Sequence, residues 1–336
     1  MIGARLELAG CTVVLAALPG SEQRAARYLR AQNVNTVLLA ANCTASLELL
    51  EQADVLALCS GQGLTFEPLR RLAREKSIPV VELDPGAAGG RITLVGGGPG
   101  ALDLLTLRAA AALACADVVF CDRLGPGEYL KQLAPQASII DVGKRPGHHK
   151  VSQDRIEALM LEQALRGKHV VRLKGGDPYV FGRGFEEVRS AARAGVPVSV
   201  VPGLSSCITV PAAAGIPVTA RSVARSFTVI SGHDPLEENQ LGHLASLGGT
   251  IVVLMGMATL EHTAAGLLRH GLAADTPCAV VESGTTGTQR TTHAELSTLA
   301  ASARTAGCAN PAVIVIGDVA ALPLSLGEPM SLGAIA

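Results

Sequence analysis

Short apolar runs rich in β-branched residues alternate with helical stretches along most of the chain, and this rhythm constrains the fold more than any other feature. Between residues 10 and 90 the runs are CTVVLAAL, NTVLLAA, DVLALC and IPVVEL. Further runs lie near residues 92–95, 117–120, 138–142, 169–173 and 198–201, and SFTVIS, TIVVLM, PCAVVE and PAVIVIG follow them. Strands that alternate with helices predict βαβ units and parallel sheets. The predicted fold class is therefore α/β.

Breaks that contain glycine and proline divide the chain. PGAAGG at 85–90 precedes a new strand, and AGIPVTARSVARS at 214–226 connects two groups of strands. We therefore predict a smaller α/β domain over 1–90 and two further α/β units over 91–220 and 221–322. Residues 323–336 form a tail whose proline and glycine content favours disorder.

The composition argues against several classes of partner. The 336 residues carry a net charge of -1, which gives no reason to expect binding to nucleic acid or to an anionic membrane. Aromatic residues make up 2% of the chain and Trp is absent, so stacking platforms for bases are poorly supported. The eight cysteines include no CxxC pair, which favours free thiols in a reducing compartment and no metal site. Without a leader sequence or an apolar run of about 20 residues, we expect a cytoplasmic protein with no membrane partner.

Three predicted strands end in turns that contain glycine: GGGPGALDLLT at 96–106, GGDPYVFGRG at 175–184 and VVPGLSS at 200–206. Because the carboxyl ends of parallel strands meet at one edge of a sheet, we expect these turns to face each other around one cleft. The first turn is expected to open a helix at Leu104, and Ser205 and Ser206 to cap another. Pro99 breaks the dinucleotide fingerprint, so the first turn alone predicts a ligand-facing loop and no particular ligand.

These turns belong to a longer series that also contains CDRL (121–124), VGKR (142–145), AGIPVTAR (214–221), SGH (231–233) and LMG (254–256). The series resembles the uroporphyrinogen-III C-methyltransferases over residues 92–320. That resemblance implies a tetrapyrrole methylase-like two-domain α/β fold, preceded here by a smaller Rossmann-like α/β domain. It also implies S-adenosyl-L-methionine bound between the two domains, S-adenosyl-L-homocysteine as product, and a homodimer. The implied reaction methylates uroporphyrinogen III at C2 and C7 to give precorrin-2, for siroheme or cobalamin synthesis.

The resemblance also assigns roles to residues. Asp122 corresponds to the family's proton acceptor and Lys144 to its proton donor. The matching cofactor positions are Pro99, Gly175, Gly176, Asp177, Val180, Ser205, Ser206, Met255 and Gly284. A separate chemical argument supports Asp122, because methylating a pyrrole carbon leaves the ring nitrogen system transiently cationic, and a carboxylate at a strand end can stabilise that charge or accept a proton. From the residues alone, Asp122 as a turn cap and Lys144 as a solvated surface charge are the simpler interpretations.

A polycarboxylated substrate requires cationic partners. Residues 123–155 contain six lysines and arginines against three acidic residues, with two histidines beside them. The candidates for substrate binding are Arg123, Arg145, His149, Lys150, Arg183 and Arg221. Further cations on the same or adjoining loops are Arg172, Lys174 and Arg225. Each of them taken singly is also compatible with a solvated face.

Two features depart from the family pattern. Ala101 stands where the family usually has Asp, which puts cofactor affinity in question more than reaction type. The N-terminal 90 residues faintly resemble the precorrin-2 dehydrogenase module of siroheme synthases, and Asp84 matches its functional acid. Side chains at 16–19 stand where that module needs glycines, so we expect a degenerate domain that binds no NAD. A bifunctional siroheme synthase and a catalytically silent tetrapyrrole-binding protein stay open as alternatives.

Overall fold

A computed structural model describes residues 11–17, 35–39, 50–59, 66–82, 90–122, 129–143 and 152–322. The strands in these ranges form three sheets, one for each group of apolar runs in the sequence. This arrangement confirms the α/β class. The sheets fall on either side of residues 90 and 220, and the domain boundaries placed there stay predictions.

The first sheet is parallel and small. It contains β1 (Thr12–Ala17), β2 (Asn35–Leu39), β3 (Val55–Cys59) and β4 (Val80–Glu82) in the order β2-β1-β3-β4. Val14 and Leu56 on the strands pack with Phe66 and Ala73, the latter on α1 (Glu67–Glu75). The turn expected to obstruct NAD and the acid Asp84 lie largely outside the described residues, so the expectation of a degenerate domain stays a prediction.

The second sheet is also fully parallel. It contains β5 (Arg91–Gly96), β6 (Val118–Cys121), β7 (Ser138–Asp141), β8 (His169–Lys174) and β9 (Val198–Val201), in the order β7-β6-β8-β5-β9. Helices α2 (Leu107–Ala114) and α3 (Leu130–Leu133) cover one face, and α4 (Gln153–Leu165) and α5 (Gly184–Arg193) cover the other. Two covered faces explain why its central strands are continuous apolar runs.

The third sheet is mixed. It contains β10 (Phe227–Ser231), β11 (Thr250–Leu254), β12 (Pro277–Glu282), β13 (Arg290–Glu295) and β14 (Ala312–Ile316), in the order β10-β11-β14-β12-β13. Only β10 and β11 pair in parallel. Helices α7 (Glu238–Leu247), α8 (Leu260–Arg269) and α9 (Leu299–Thr305) pack on one face. The sequence did not predict β13, because its segment RTTHAE is polar and lies at the sheet edge.

Helix α6 (Ser206–Ala213) joins the second and third units. It follows β9 in the chain, yet its Cys207 and Val210 pack in one cluster with Val252 of β11 and with Val313 and Val315 of β14. Because α6 begins at the carboxyl edge of the second sheet and is buried against the third, the two units share a boundary next to the turns that contain glycine.

Candidate active site

The turns after β5 and β8 are tied together by their backbones. Gly98 N–H donates to the carbonyl of Gly176 at 3.2 Å, and Gly176 N–H donates back to Gly98 at 2.7 Å. Gly97 N–H adds a bond of 2.7 Å to the carbonyl of Lys174. These reciprocal bonds hold the two turns side by side at the edge of the sheet.

The turn after β9 closes against the same pair. A methyl group on Gly203 would stand 2.2 Å from the Gly176 carbonyl oxygen and 2.6 Å from the Cα of Gly96, so only glycine fits there. The carboxylate of Asp177 accepts a hydrogen bond from Gly203 N–H at 3.0 Å and another from Tyr179 N–H at 2.8 Å. The three turns therefore face one another, as the sequence predicted.

The loop after Gly98 reaches the third unit. Ala101 N–H points to the Thr285 hydroxyl at 3.4 Å, and a methyl group on Gly100 would meet the Thr286 side chain at 3.3 Å. Gly284 packs against Val210 of α6 so closely that an added Cβ would lie 2.5 Å from its methyl carbon. Residues from both units thus border the same region.

Helix starts in this region differ in detail from expectation. Leu104 ends a short 3-10 turn, and α2 begins only at Leu107 because the Thr106 hydroxyl caps it by accepting a bond from Ala109 N–H. This corrects the expected helix start at Leu104. Ser205 does stand at the N-cap of α6, but its hydroxyl makes no capping hydrogen bond and lies 3.1 Å from the Cys207 sulfur.

Residues with left-handed backbone conformations cluster around the turns. Phe181 and Arg183 follow β8, Met255 follows β11, and Ser283 and Thr285 follow β12, all with positive φ. Such a conformation costs a residue other than glycine roughly 1 kcal/mol or more and is enriched at active sites and ligand-binding turns. Met255 and Phe181 are also 44% exposed, so their apolar side chains line open surface.

Asp122 lies at the end of β6 within a set of charged side chains. Its Oδ1 accepts a hydrogen bond of 2.7 Å from Arg172 Nη2, whose side chain is 3% exposed, whereas that of Asp122 is 32% exposed. The other end of the Arg172 guanidinium donates through Nε to Glu187 at 3.0 Å. Glu187 also accepts from Lys174 Nζ at 3.0 and 3.1 Å. Two cations and two carboxylates thus form one network.

Burial and charge act in opposition on the two cations. Burial opposes the charged form of Arg172, but Asp122 and Glu187 outweigh it and raise the pKa of the guanidinium. Burial together with the charge of Arg172 lowers the pKa of Lys174, even though Glu187 is in contact with it. Both side chains are enclosed and paired, so the suggestion that Arg172 and Lys174 are loop cations for substrate is wrong. They lie within β8, where the pleat turns them towards α5.

Some of the predicted site residues lie within the described ranges and others do not. Five lie outside the described residues: Arg123, Lys144, Arg145, His149 and Lys150. Arg183 is exposed and paired with Glu186, and Arg221 is exposed on the connection before β10. Val180 is partly buried against the cluster around α6. Pro99, Gly175, Gly176, Asp177, Ser205 and Ser206 belong to the three converging turns.

Two residues of this region were not predicted. Thr285 was missed because a hydroxyl in the turn GTTGT has no distinguishing neighbour in sequence. Glu187 was missed because the pair Glu186–Glu187 in the first turn of α5 is typical of a solvated, dipole-stabilising position. Its full burial and its bonds to Arg172 and Lys174 distinguish it from Glu186.

The described ranges contain neither a cluster of metal-ligating side chains nor a helix that could span a membrane. No group of three or more His, Cys, Asp or Glu residues there is arranged to hold a metal ion. Among the same residues, no helix combines the length and the apolar character that crossing a bilayer requires.

Comparison with known proteins gives a consistent picture. Residues 91–300 match the family model of the Tetrapyrrole (Corrin/Porphyrin) Methylases. An S-adenosyl-L-methionine-dependent uroporphyrinogen III methyltransferase of Methanosarcina barkeri is 44% identical over 243 residues, 71% of this chain and 95% of that protein. A siroheme synthase of Tolumonas auensis is 44% identical over 237 residues, 70% of this chain but only 50% of that protein. The uroporphyrin-III C-methyltransferase of Thermus thermophilus, solved with S-adenyl homocysteine, is 41% identical with a TM-score of 0.58, over 68% of this chain and 98% of that one.

Proposed function

The chain belongs to the tetrapyrrole methylase family, and we propose that it methylates uroporphyrinogen III at C2 and C7, using S-adenosyl-L-methionine and giving precorrin-2 and S-adenosyl-L-homocysteine. The observation that supports this most is the convergence of the turns after β5, β8 and β9 next to Asp122. The family model covers residues 91–300, which include all three turns, and the relatives include uroporphyrinogen III methyltransferases.

We infer that the turns hold a nucleoside-containing ligand, as the family resemblance implies. An added Cβ on Gly176 would have no atom closer than 3.9 Å, so a ligand can approach the backbone there without meeting a side chain. Residues 99, 175–177, 180 and 205–206 would hold S-adenosyl-L-methionine from the second unit, and Met255 and Gly284 would hold it from the third. When bound, this ligand supplies an electrophilic methyl group on a sulfonium centre.

Asp122 has the surroundings for a role in proton transfer. One of its oxygens is bound to Arg172, and the partial exposure of the side chain leaves it accessible from the edge of the sheet. We propose that it stabilises the positive charge that develops on the pyrrole nitrogen system and accepts the proton that the nitrogen loses. Lys144 is proposed as the proton donor on the basis of the family resemblance alone.

We propose that a group of cationic side chains binds the carboxylates of the substrate. Arg221 is exposed, and Arg183 is exposed although it is paired with Glu186, so we propose that both can reach carboxylates at the surface of the cleft. Arg123, Arg145, His149 and Lys150 complete the proposed set. Charge-assisted hydrogen bonds from several arginines would suit a substrate whose carboxylates surround a macrocycle.

The first alternative is a bifunctional siroheme synthase. A retained dehydrogenase or chelatase activity gains no support from the family model, which begins at residue 91.

We further propose a cytoplasmic homodimer. Exposed apolar side chains near the turns, including Tyr179, Phe185 and Ile208, are consistent with an interface. Light scattering on the purified protein measures the oligomeric state, and NAD titration tests the dehydrogenase alternative.

The test of the proposed function is turnover. Purified protein is incubated anaerobically with S-adenosyl-L-methionine and uroporphyrinogen III, and products are separated by mass. We expect a tetrapyrrole that has gained two methyl groups, together with S-adenosyl-L-homocysteine. Binding of both ligands without any methylated product would favour the silent binding protein.

A further inference from the structure

Glu187 is a buried carboxylate with no role in the assigned site. It lies in the first turn of α5, its side chain is 0% exposed, and it accepts hydrogen bonds from three side chains. Arg172 Nε lies 3.0 Å from its Oε1, Lys174 Nζ lies 3.0 and 3.1 Å from its two oxygens, and Gln153 Nε2 of α4 lies 3.1 Å from Oε1. Three elements, β8, α4 and α5, therefore fix the position of this carboxylate.

Arg172 links Glu187 to Asp122. Its guanidinium is planar and its donors are fixed relative to one another, so holding one side determines where the others point. Nε binds Glu187, Nη1 binds the carbonyls of Leu173 and Phe120 at 3.1 and 3.4 Å, and Nη2 binds Asp122. The Asp122 carboxylate is thus oriented by a side chain that is itself oriented by Glu187.

Lys174 makes the role of Glu187 more than structural support. Both cations project from the same strand and lie close enough for the charge of Arg172 to act on Lys174. Without Glu187, the Lys174 ammonium would have Asp122 as the remaining carboxylate of the network. An ammonium competing for Asp122 would disturb the bond from Arg172 and turn the carboxylate away from its present direction.

We propose that Glu187 is a positioning residue for methyl transfer, which holds Asp122 at the cleft edge through Arg172 and keeps Lys174 from binding it. This inference rests on the proposed function and on the role of Asp122 within it. Stability alone does not require a buried ionic network, because an apolar core of similar volume is often as stable. The extension of this network to the cleft therefore argues for a role in the site. Asp122, the partly exposed member, is where the network meets the site.

The experiment compares Glu187→Gln with a charge-balanced double variant, Lys174→Met with Glu187→Gln. We expect Glu187→Gln to lower kcat by at least about 10-fold, because a catalytic group displaced by a fraction of an ångström loses much of its effect. The dissociation constant of S-adenosyl-L-homocysteine should change less than about twofold, since Glu187 does not contact the turns. The double variant removes the cation that would compete for Asp122, so it should recover the Tm and part of kcat. The share of kcat that depends on the bond between Glu187 and Arg172 should stay lost.

The matched control is Thr93→Val. Thr93 is buried in β5 of the same sheet and bonds His169 at 2.9 Å and Ser199 at 3.2 Å, away from the charged network. Its loss should lower the Tm while leaving kcat unchanged, which separates lost stability from lost positioning. A kcat that returns fully to the wild-type value in the charge-balanced double variant would overturn the proposal that Glu187 positions Asp122 through Arg172, because Glu187 would then act only on Lys174.

A second measurement does not depend on turnover. The unfolding free energies of Glu187→Gln, Asp122→Asn and the combination of both form a double-mutant cycle. Their losses should be non-additive, because the two carboxylates act on one guanidinium, and additive losses would overturn the inference. If the wild-type protein forms no methylated product, the proposed function fails, whereas product formation with a normal kcat in Glu187→Gln removes only the present inference.

Discussion

The carboxylate of Asp177 accepts a hydrogen bond from the backbone N–H of Gly203 at 3.0 Å, across 26 residues of chain. Its other oxygen binds Tyr179 N–H within its own turn. One side chain thereby fixes the shape of the turn after β8 and attaches the turn after β9 to it.

Replacing Asp177 with Asn should weaken ligand binding and stability together. The amide can accept only through one atom, so one of the two backbone donors loses its partner at a cost of about 1–3 kcal/mol. We expect a lower Tm and an S-adenosyl-L-homocysteine dissociation constant raised by about 10-fold, measured by calorimetry. The exposed Asp275→Asn is the matched control. Equal affinity in the two variants would show that the turns do not depend on Asp177.

We expect Gly203→Ala to disrupt the packing of the turns and ligand binding more than any other single methyl addition there. The added Cβ would lie 2.2 Å from the Gly176 carbonyl oxygen, so the turns must separate. We predict loss of measurable S-adenosyl-L-homocysteine binding and a reduced Tm. Gly287→Ala is the control, because Gly287 has no atom within 4 Å of an added Cβ. A Gly203→Ala protein with wild-type affinity would mean that the turns do not form the ligand site.

Asp122→Asn should lower turnover without affecting ligand affinity. The amide keeps the volume and can still accept a bond from Arg172, but it cannot take up a proton. Loss of general base catalysis typically reduces kcat by about 10²- to 10⁴-fold. The assay is S-adenosyl-L-homocysteine release under saturating substrate, with the dissociation constant measured in parallel. Unchanged kcat in this variant would remove Asp122 from the reaction.

The stability of the third unit should depend on pH through Glu282. Arg290 binds both Glu282 oxygens at 2.9 Å, and this contact lowers the pKa of the carboxyl below its usual 4.5. A lowered pKa in the folded state means that the stabilisation is complete above about pH 4.5 and is lost as the pH falls through the folded-state value. Chemical denaturation from pH 6 downwards should therefore show a steeper loss of stability in the wild-type protein than in Glu282→Gln. Parallel curves for the two proteins would contradict this.

Elements of the fold were predictable where a local pattern determines them. Runs such as HVVRL and TIVVL are buried on both faces and form the expected strands. The polar edge strand β13 carries no such pattern, because an edge strand needs only one neighbour and little burial. The packing of α6 on β11 and β14 is likewise a long-range contact that the composition of α6 does not encode.

The site was predictable to the level of strand ends. A turn that follows a parallel strand lies at the carboxyl edge of the sheet. The order of strands and turns in the sequence therefore predicts the convergence of the turns and the placement of Asp122. Pairing between side chains did not follow. The sequence suggests that Arg172 and Lys174 are cations available to substrate, whereas the alternation along β8 buries both against Glu187.

The most direct test of the account is a crystal structure of the protein with S-adenosyl-L-homocysteine. We predict that the ligand lies against the turns at 98–100, 175–177 and 203–206, with its sulfur directed towards the Asp122 side of the cleft. Ligand bound within residues 1–90, or turns that separate from one another when it binds, would contradict the assignment.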